Sequence, residues 1–260
     1  AEAITLGDGG PVEPGPDGAL PDPNDIWMRE VRLRRLLGIE PELQAIRRVA
    51  QWMRDRTATQ ELQLLSARLR EIQQDLDPAI IADQDRLLEL AEIYAILGEV
   101  DAAAVIHRAL ANQALATNNE AEFQTQLETL ANLQSAWFYF DDAAATYDEL
   151  LELAQRQPDR ENEIRYLRVQ SHNLEQARQL AAAITAQAKL LDIYTQAEAF
   201  WPMVPPLQHD IAENYLALSN LTEASRYFRS AYTNALTQLQ FNVSADSIRS
   251  LIEVYAALER

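Results

Sequence analysis

No cysteine occurs among the 260 residues, so a disulfide framework, a thiolate metal centre and a cysteine nucleophile are all excluded. Glycine is scarce as well, with 7 residues, and no Gly-rich phosphate-binding loop appears. Aromatics make up 7% of the chain, and strand-forming runs of Val, Ile, Thr and Tyr are missing. No apolar run approaches the roughly 18 to 20 residues that span a bilayer. Lys189 is the only lysine, and 22 basic residues face 40 acidic ones. The formal charge of −18 excludes general nucleic-acid binding, because neutralising phosphates requires clustered cations.

What remains is Ala, Leu, Gln, Glu and Arg, the residues that lose least on entering a helix. The chain is predicted to be all-α. With 48% hydrophobic residues it has ample material for a sizeable core or a short solenoid. It opens Ala1-Glu2-Ala3 without Met, which reads as a processed start or as a trimmed fragment. Export and a cytoplasmic location stay equally open.

Three segments are expected. Residues 1–25 form an extended acidic tail, rich in Pro and Gly and without a basic residue, that buries too little apolar surface to fold alone. Residues 26–80 form N-terminal helices that act as a cap. One opens near Asn24-Asp25, the next runs from about Pro41 to Arg56, and the third starts at a Thr57–Gln60 capping box and ends near Asp77-Pro78. Residues 81–260 form the repeat region. The helices around residues 29–56 reverse the local charge with Arg29, Arg32, Arg34, Arg35, Arg47, Arg48, Arg54 and Arg56. That cluster reads either as a patch for an anionic partner or membrane surface, or as a solvated face paired with the acidic tail.

From about residue 84 the chain repeats itself. Ala103, Ala143, Ala183 and Ala224 recur at steps of 40, 40 and 41. The same register aligns Leu87, Leu127 and Leu167; Ala91, Ala131, Ser171 and Ala212; and Tyr94, Gln134, Leu174 and Tyr215. It also aligns Val100, Phe140, Leu180 and Leu221; Leu110, Leu150, Leu190 and Ala231; and Ala114, Ala154, Tyr194 and Ala235. Small residues where helices cross let backbones approach, and large ones three or four positions away fill the adjacent grooves.

The run Ile211 to Ala231 resembles a tetratricopeptide repeat, with Ala212, Tyr215, Leu221, Ala224, Phe228 and Ala231 on the signature positions. Leu90 to Gly98 is similar to that motif's first helix. The period of about 40 exceeds the family's 34, which implies longer second helices. The third unit departs further: Gln170, Arg178 and Gln187 stand where the motif prefers an apolar residue, Gly and an aromatic. HEAT or armadillo repeats, of similar period, are the structural alternative. The resemblance implies a right-handed α-α superhelix of about four helix pairs plus a final helix, over residues 84–260.

In that family the first helices line a concave groove. By register the groove residues are Asp85 and Glu92; Glu128 and Asn132; Arg165, Arg168, His172 and Glu175; His209 and Glu213; Arg249 and Glu253. A mixed-charge groove suits an extended or helical peptide bearing both signs. The family's carboxylate clamp is not reproduced, since Leu88 and Glu92 fall where its first Lys and Asn belong. His172 and His209, with Glu175 and Glu213, are the one set with the chemistry of a divalent-cation site. No local metal motif supports it, and ordinary groove polarity is the expectation. His107 falls on a packing column. Asn118-Asn119 and Asp141-Asp142 read as helix caps. Asn220-Leu-Thr and Asn242-Val-Ser match a glycosylation pattern that is common by chance.

The function expected is a non-enzymatic scaffold holding a protein partner, with no cofactor, no metal and no catalytic residue. The rivals are a structural subunit held by its tail and outer helices, and a peptide or metal sensor.

Overall fold

The computed structural model describes residues 23–54, 59–156 and 159–258. The expected tail lies outside the described residues through position 22, as do Arg56, Thr57 of the capping box, and Gln157-Pro158. All regular structure among the described residues is helical.

The chain divides into two compact units, Ala1–Thr117 and Asn118–Arg260. The first holds α1 (Pro23–Arg35), α2 (Ile39–Arg54), α3 (Thr59–Gln74), α4 (Ile81–Leu97) and α5 (Val100–Ala116). The second holds α6 (Glu120–Ala136), α7 (Phe140–Arg156), α8 (Arg160–Gln176) and α9 (Leu180–Thr195). A 3-10 turn (Glu198–Met203) then leads into α10 (Val204–Ala217), α11 (Leu221–Thr237) and α12 (Phe241–Leu258). The first repeat pair, α4–α5, thus lies in one unit with the N-terminal helices.

Helix starts follow local chemistry. Asn119, Asp159 and Asn220 each accept a hydrogen bond from the backbone N–H three residues on, at 3.3, 3.0 and 3.3 Å. Asn220, the first glycosylation-pattern Asn, therefore spends its side chain as a helix cap. The 40-residue period is built from helices of 17 residues, such as α5 and α6, joined by three-residue turns. The length beyond the family's usual period is shared by both helices of a pair, rather than added to the second alone.

The turn inside each pair carries one left-handed residue: Gly98 (φ 78°), Phe138 (67°), Arg178 (61°) and Ser219 (59°). The residue after each donates its N–H to a carbonyl five residues back, at 2.8 to 2.9 Å. This satisfies a carbonyl that the helix end leaves open and reverses the chain sharply.

Packing explains the columns. Ala103, Ala143, Ala183 and Ala224 are fully buried, as are Leu127, Leu150 and Ala212. A larger side chain at such a crossing would push two backbones apart, at a cost of about 1–3 kcal/mol. His107 is buried too, as its packing column requires.

Candidate functional site

Glu128 on α6 is the centre of a closed polar knot. Its Oε1 accepts from Gln124 Nε2 at 2.9 Å and from Arg165 Nη2 at 2.7 Å, while Oε2 accepts from Arg165 Nη1 at 3.2 Å. The Tyr166 hydroxyl also donates to Oε1, and the Arg165 guanidinium lies 4.7 Å from the centre of the Tyr166 ring. Burial opposes the carboxylate charge, but the hydrogen bonds from Arg165, Tyr166 and Gln124 outweigh it and lower the Glu128 pKa. Burial first, and Glu128 second, push the Tyr166 phenol upward. Asn132 accepts from the Tyr147 hydroxyl at 2.8 Å. Glu128, Arg165 and Asn132 thus spend their polar groups on neighbouring helices.

Towards the C-terminal end of α8 the surface opens. A cleft of about 520 Å³ lies between α8 and α10, lined by Glu175, Arg178, Asp210, Glu213 and Asn214 among others. Its floor is a triangle: Gln187 Nε2 and Asn214 Nδ2 each donate to Glu175 Oε1 at 2.7 Å, and Asn214 Nδ2 also reaches Gln187 Oε1 at 3.0 Å. Asp210 carries a carboxyl raised to about 6, by loss of hydration first and by the charge of Glu175 second. Arg178 lines the cleft, and Arg168 and His172 stand exposed on α8, one turn apart. The side chains of Arg168, Arg178 and His172 have no hydrogen-bonding partner among the described residues.

The departures of the third unit from its repeat pattern now have a physical reason. Gln187 replaces an aromatic and holds Glu175, Gln170 donates to Asp148 on α7, and Arg178 occupies the left-handed turn position that Gly98 fills in the first pair. Asp210, Asn214, Gln187 and Arg178 are the cleft residues that the groove register missed. The polar substitutions at packing columns were the sequence signal that marked two of them.

His209 does not join His172. Its Nδ1 lies 3.0 Å from Ser247 Oγ on α12, its Nε2 lies 3.3 Å from Glu213 Oε1, and its ring meets Phe228 edge-on at 5.2 Å. Among the described residues, no three His, Asp or Glu side chains gather as a cation site requires. The Ser247–His209–Glu213 chain has the order of a hydrolase triad, but Ser247 is 0% exposed. A nucleophile sealed in the interface of α12 meets no substrate.

In the first unit, part of the arginine cluster is matched by acids. Arg47 pairs with Glu92 at 2.7 Å, and Glu30 takes Arg48 at 2.6 Å and Arg34 at 3.7 Å. Arg29, Arg32 and Arg35 have no ion-pair partner among the described residues, and Arg54 is the last residue of α2. Arg249 pairs with Asp246 on its own helix at 3.2 Å.

No family model and no curated protein matches the chain. Among solved structures, it is similar to the kinesin light chain nearly identical TPR-like repeats of Podosopora anserina, at 15% identity. That match covers 84% of this chain and 99% of the other, with a TM-score of 0.48. It is also similar to BtubC (BKLC) of P. vanneervenii, at 17% identity, 83% and 90% coverage and a TM-score of 0.44. A third similar structure is the Signal Transduction ATPase with Numerous Domains of Pyrococcus horikoshii, which carries a tetratricopeptide repeat sensor. It shows 16% identity, 88% and 35% coverage and a TM-score of 0.46. The helix pairs, which recur at a period of 40 with small buried residues at their crossings, are tetratricopeptide-like.

Proposed function

We propose that this chain is a non-enzymatic protein-interaction scaffold, and that the α8–α10 face receives a peptide segment bearing both charges. The observation that carries the reading is the open cleft with Arg178 at its rim and Arg168 exposed on the same helix pair. Glu175, Gln187 and Asn214 are tied to one another, whereas these two guanidiniums keep their full donor capacity for a carboxylate. Asp210 and Glu213 offer the complementary sign within the same cleft. Such an arrangement orients a peptide through charge while backbone and apolar contacts supply area.

The test is site-specific photo-crosslinking in lysate of the source cells. A crosslinker replaces Gln176, which lines the cleft, and in a second protein it replaces Thr233, exposed on α11. A discrete adduct from position 176, lost when Arg168→Glu and Arg178→Glu are combined, supports groove binding. Adducts only from position 233, insensitive to the two charge reversals, overturn it and favour a subunit held by its outer helices.

A further inference from the structure

Helix α1 turns one face to α2. On that face Val31 is buried, Trp27 meets Trp52 with ring centres 5.8 Å apart, and Glu30 accepts from Arg48 at 2.6 Å. Away from it, Arg29, Arg32 and Arg35 are exposed, and so are Leu33 (65%), Leu36 (81%) and Leu37 (68%). Basic residues in the last turn complement the helix dipole, which accounts for a positive charge at this end. It does not account for the leucines. One exposed leucine needs no explanation, but three within positions 33–37, set among arginines, form a contiguous patch.

The segment that leads into α1 carries the matching chemistry. Between residues 8 and 22, Asp8, Glu13, Asp17 and Asp22 are acidic, no residue is basic, and Val12 and Leu20 are apolar. Acids on the helices are already engaged elsewhere: Arg34 and Arg48 have Glu30, Arg47 has Glu92, Arg68 has Glu42 and Arg70 has Glu99. Reach fits as well. From Pro23 to Arg35, α1 is about 18 Å long, at 1.5 Å per residue. An extended Pro-rich chain covers that in about six residues, at roughly 3.1 Å each. A chain that turns back at Asp22 brings Asp17 alongside Arg32 and Arg35, with Val12 and Glu13 in reach of Leu36 and Leu37. Pro11, Pro14, Pro16 and Pro21 limit the conformations that docking would remove.

We infer that the arginines and leucines exposed on α1 are the docking surface of the chain's own residues 8–22, laid antiparallel along the helix. Surface ion pairs contribute little one by one, so the leucines supply the buried area while the charges set direction and register. Asp17, between Arg32 and Arg35, is the central contact. The docked segment neutralises the basic patch, which then no longer draws anionic partners. This surface belongs to the first unit and does not depend on the α8–α10 cleft.

The absence of cysteine makes the test direct. Nitroxide labels go on Gly10→Cys and on Gln44→Cys, the latter exposed on α2, in the full chain, and their separation is read by pulsed electron spin resonance. The labelled protein should give one narrow distance peak. Arg32→Asp with Arg35→Asp should lose the peak to the broad spread of a free chain, and Asp17→Arg added to that pair should restore it. Restoration by the charge swap separates lost docking from lost folding. A broad distribution in the unreversed chain, a narrow peak that survives the reversal, or no restoration overturns the proposal. So does a peak that vanishes on dilution with unlabelled protein, because the segment would then lie on a second copy. Co-sedimentation with phosphatidylserine vesicles is the last arm. Binding by the full chain that Arg32→Asp with Arg35→Asp abolishes also overturns it, because the face would then take an anionic membrane surface.

Discussion

Glu42 on α2 and Arg68 on α3 face each other in a two-point ion pair, 2.8 Å from Nε to Oε1 and 2.9 Å from Nη2 to Oε2, with Glu42 only 1% exposed. Arg68 also reaches Glu71 Oε2 at 2.8 Å. The hydrogen bonds to Glu42 raise the Arg68 pKa beyond any accessible pH. Removing the cation strands a desolvated carboxylate, which is the costly event; the pair itself contributes far less. Arg68→Ala should destabilise the first unit by about 3 kcal/mol. Glu42→Gln combined with Arg68→Met should recover much of that loss. Urea unfolding followed by the fluorescence of Trp27 and Trp52, whose rings sit 5.8 Å apart, reads both variants.

Leu239 follows α11 in the left-handed region, at φ 59°, with its side chain 72% exposed. A branched residue there pays steric strain of about 1–2 kcal/mol that glycine does not. Leu239→Gly should raise stability by about 1 kcal/mol, and Leu239→Ala should not. Thermal melts of the two variants side by side decide it.

Asn214 supplies two hydrogen bonds to the Glu175–Gln187 pair from a position that is itself buried. Asn214→Leu should cost about 2 kcal/mol, because it leaves the Glu175 carboxylate short of a donor. If chemical denaturation shows the variant as stable as wild type, the triangle is not a structural feature of α8–α10.

Asp210 titrates differently folded and unfolded: its carboxyl rises from 3.8 to about 6 in the folded protein. The folded state therefore holds the proton more tightly, and stability falls as pH rises through that window and is flat above it. Asp210 keeps contact with solvent through the cleft, so the effect is small. Asp210→Asn should be more stable than wild type at pH 7 and equal to it below pH 3.8. A pH series of melting temperatures for the two proteins checks the sign.

Ser247 is sealed against α10, so a fluorophosphonate probe should fail to label the native chain. Labelling that disappears in Ser247→Ala would restore the hydrolase reading.

The sequence by itself determined the helical class, the 40-residue period and the small-residue crossings. Those follow from local propensity and from side-chain volume at fixed spacing, both of which a linear register records. Ala103, Ala143, Ala183 and Ala224 could be named as crossing points because a close helix approach admits little else. Tertiary structure decided which polar residues are available. Glu128 and Arg165 share a groove register with Arg168, yet the first two bind each other across adjacent helices, and Arg168 is left open. His209 turns to Ser247 rather than His172 because rotamer and neighbour, not spacing, set where an imidazole points. Glu42 reads as one more surface acid among arginines until α3 brings Arg68 over it. Likewise, Ile252 sits on a column of buried small residues, yet among the described residues its side chain is 63% exposed. Spacing fixes which side of a helix a residue occupies, but what meets that side depends on the other helices.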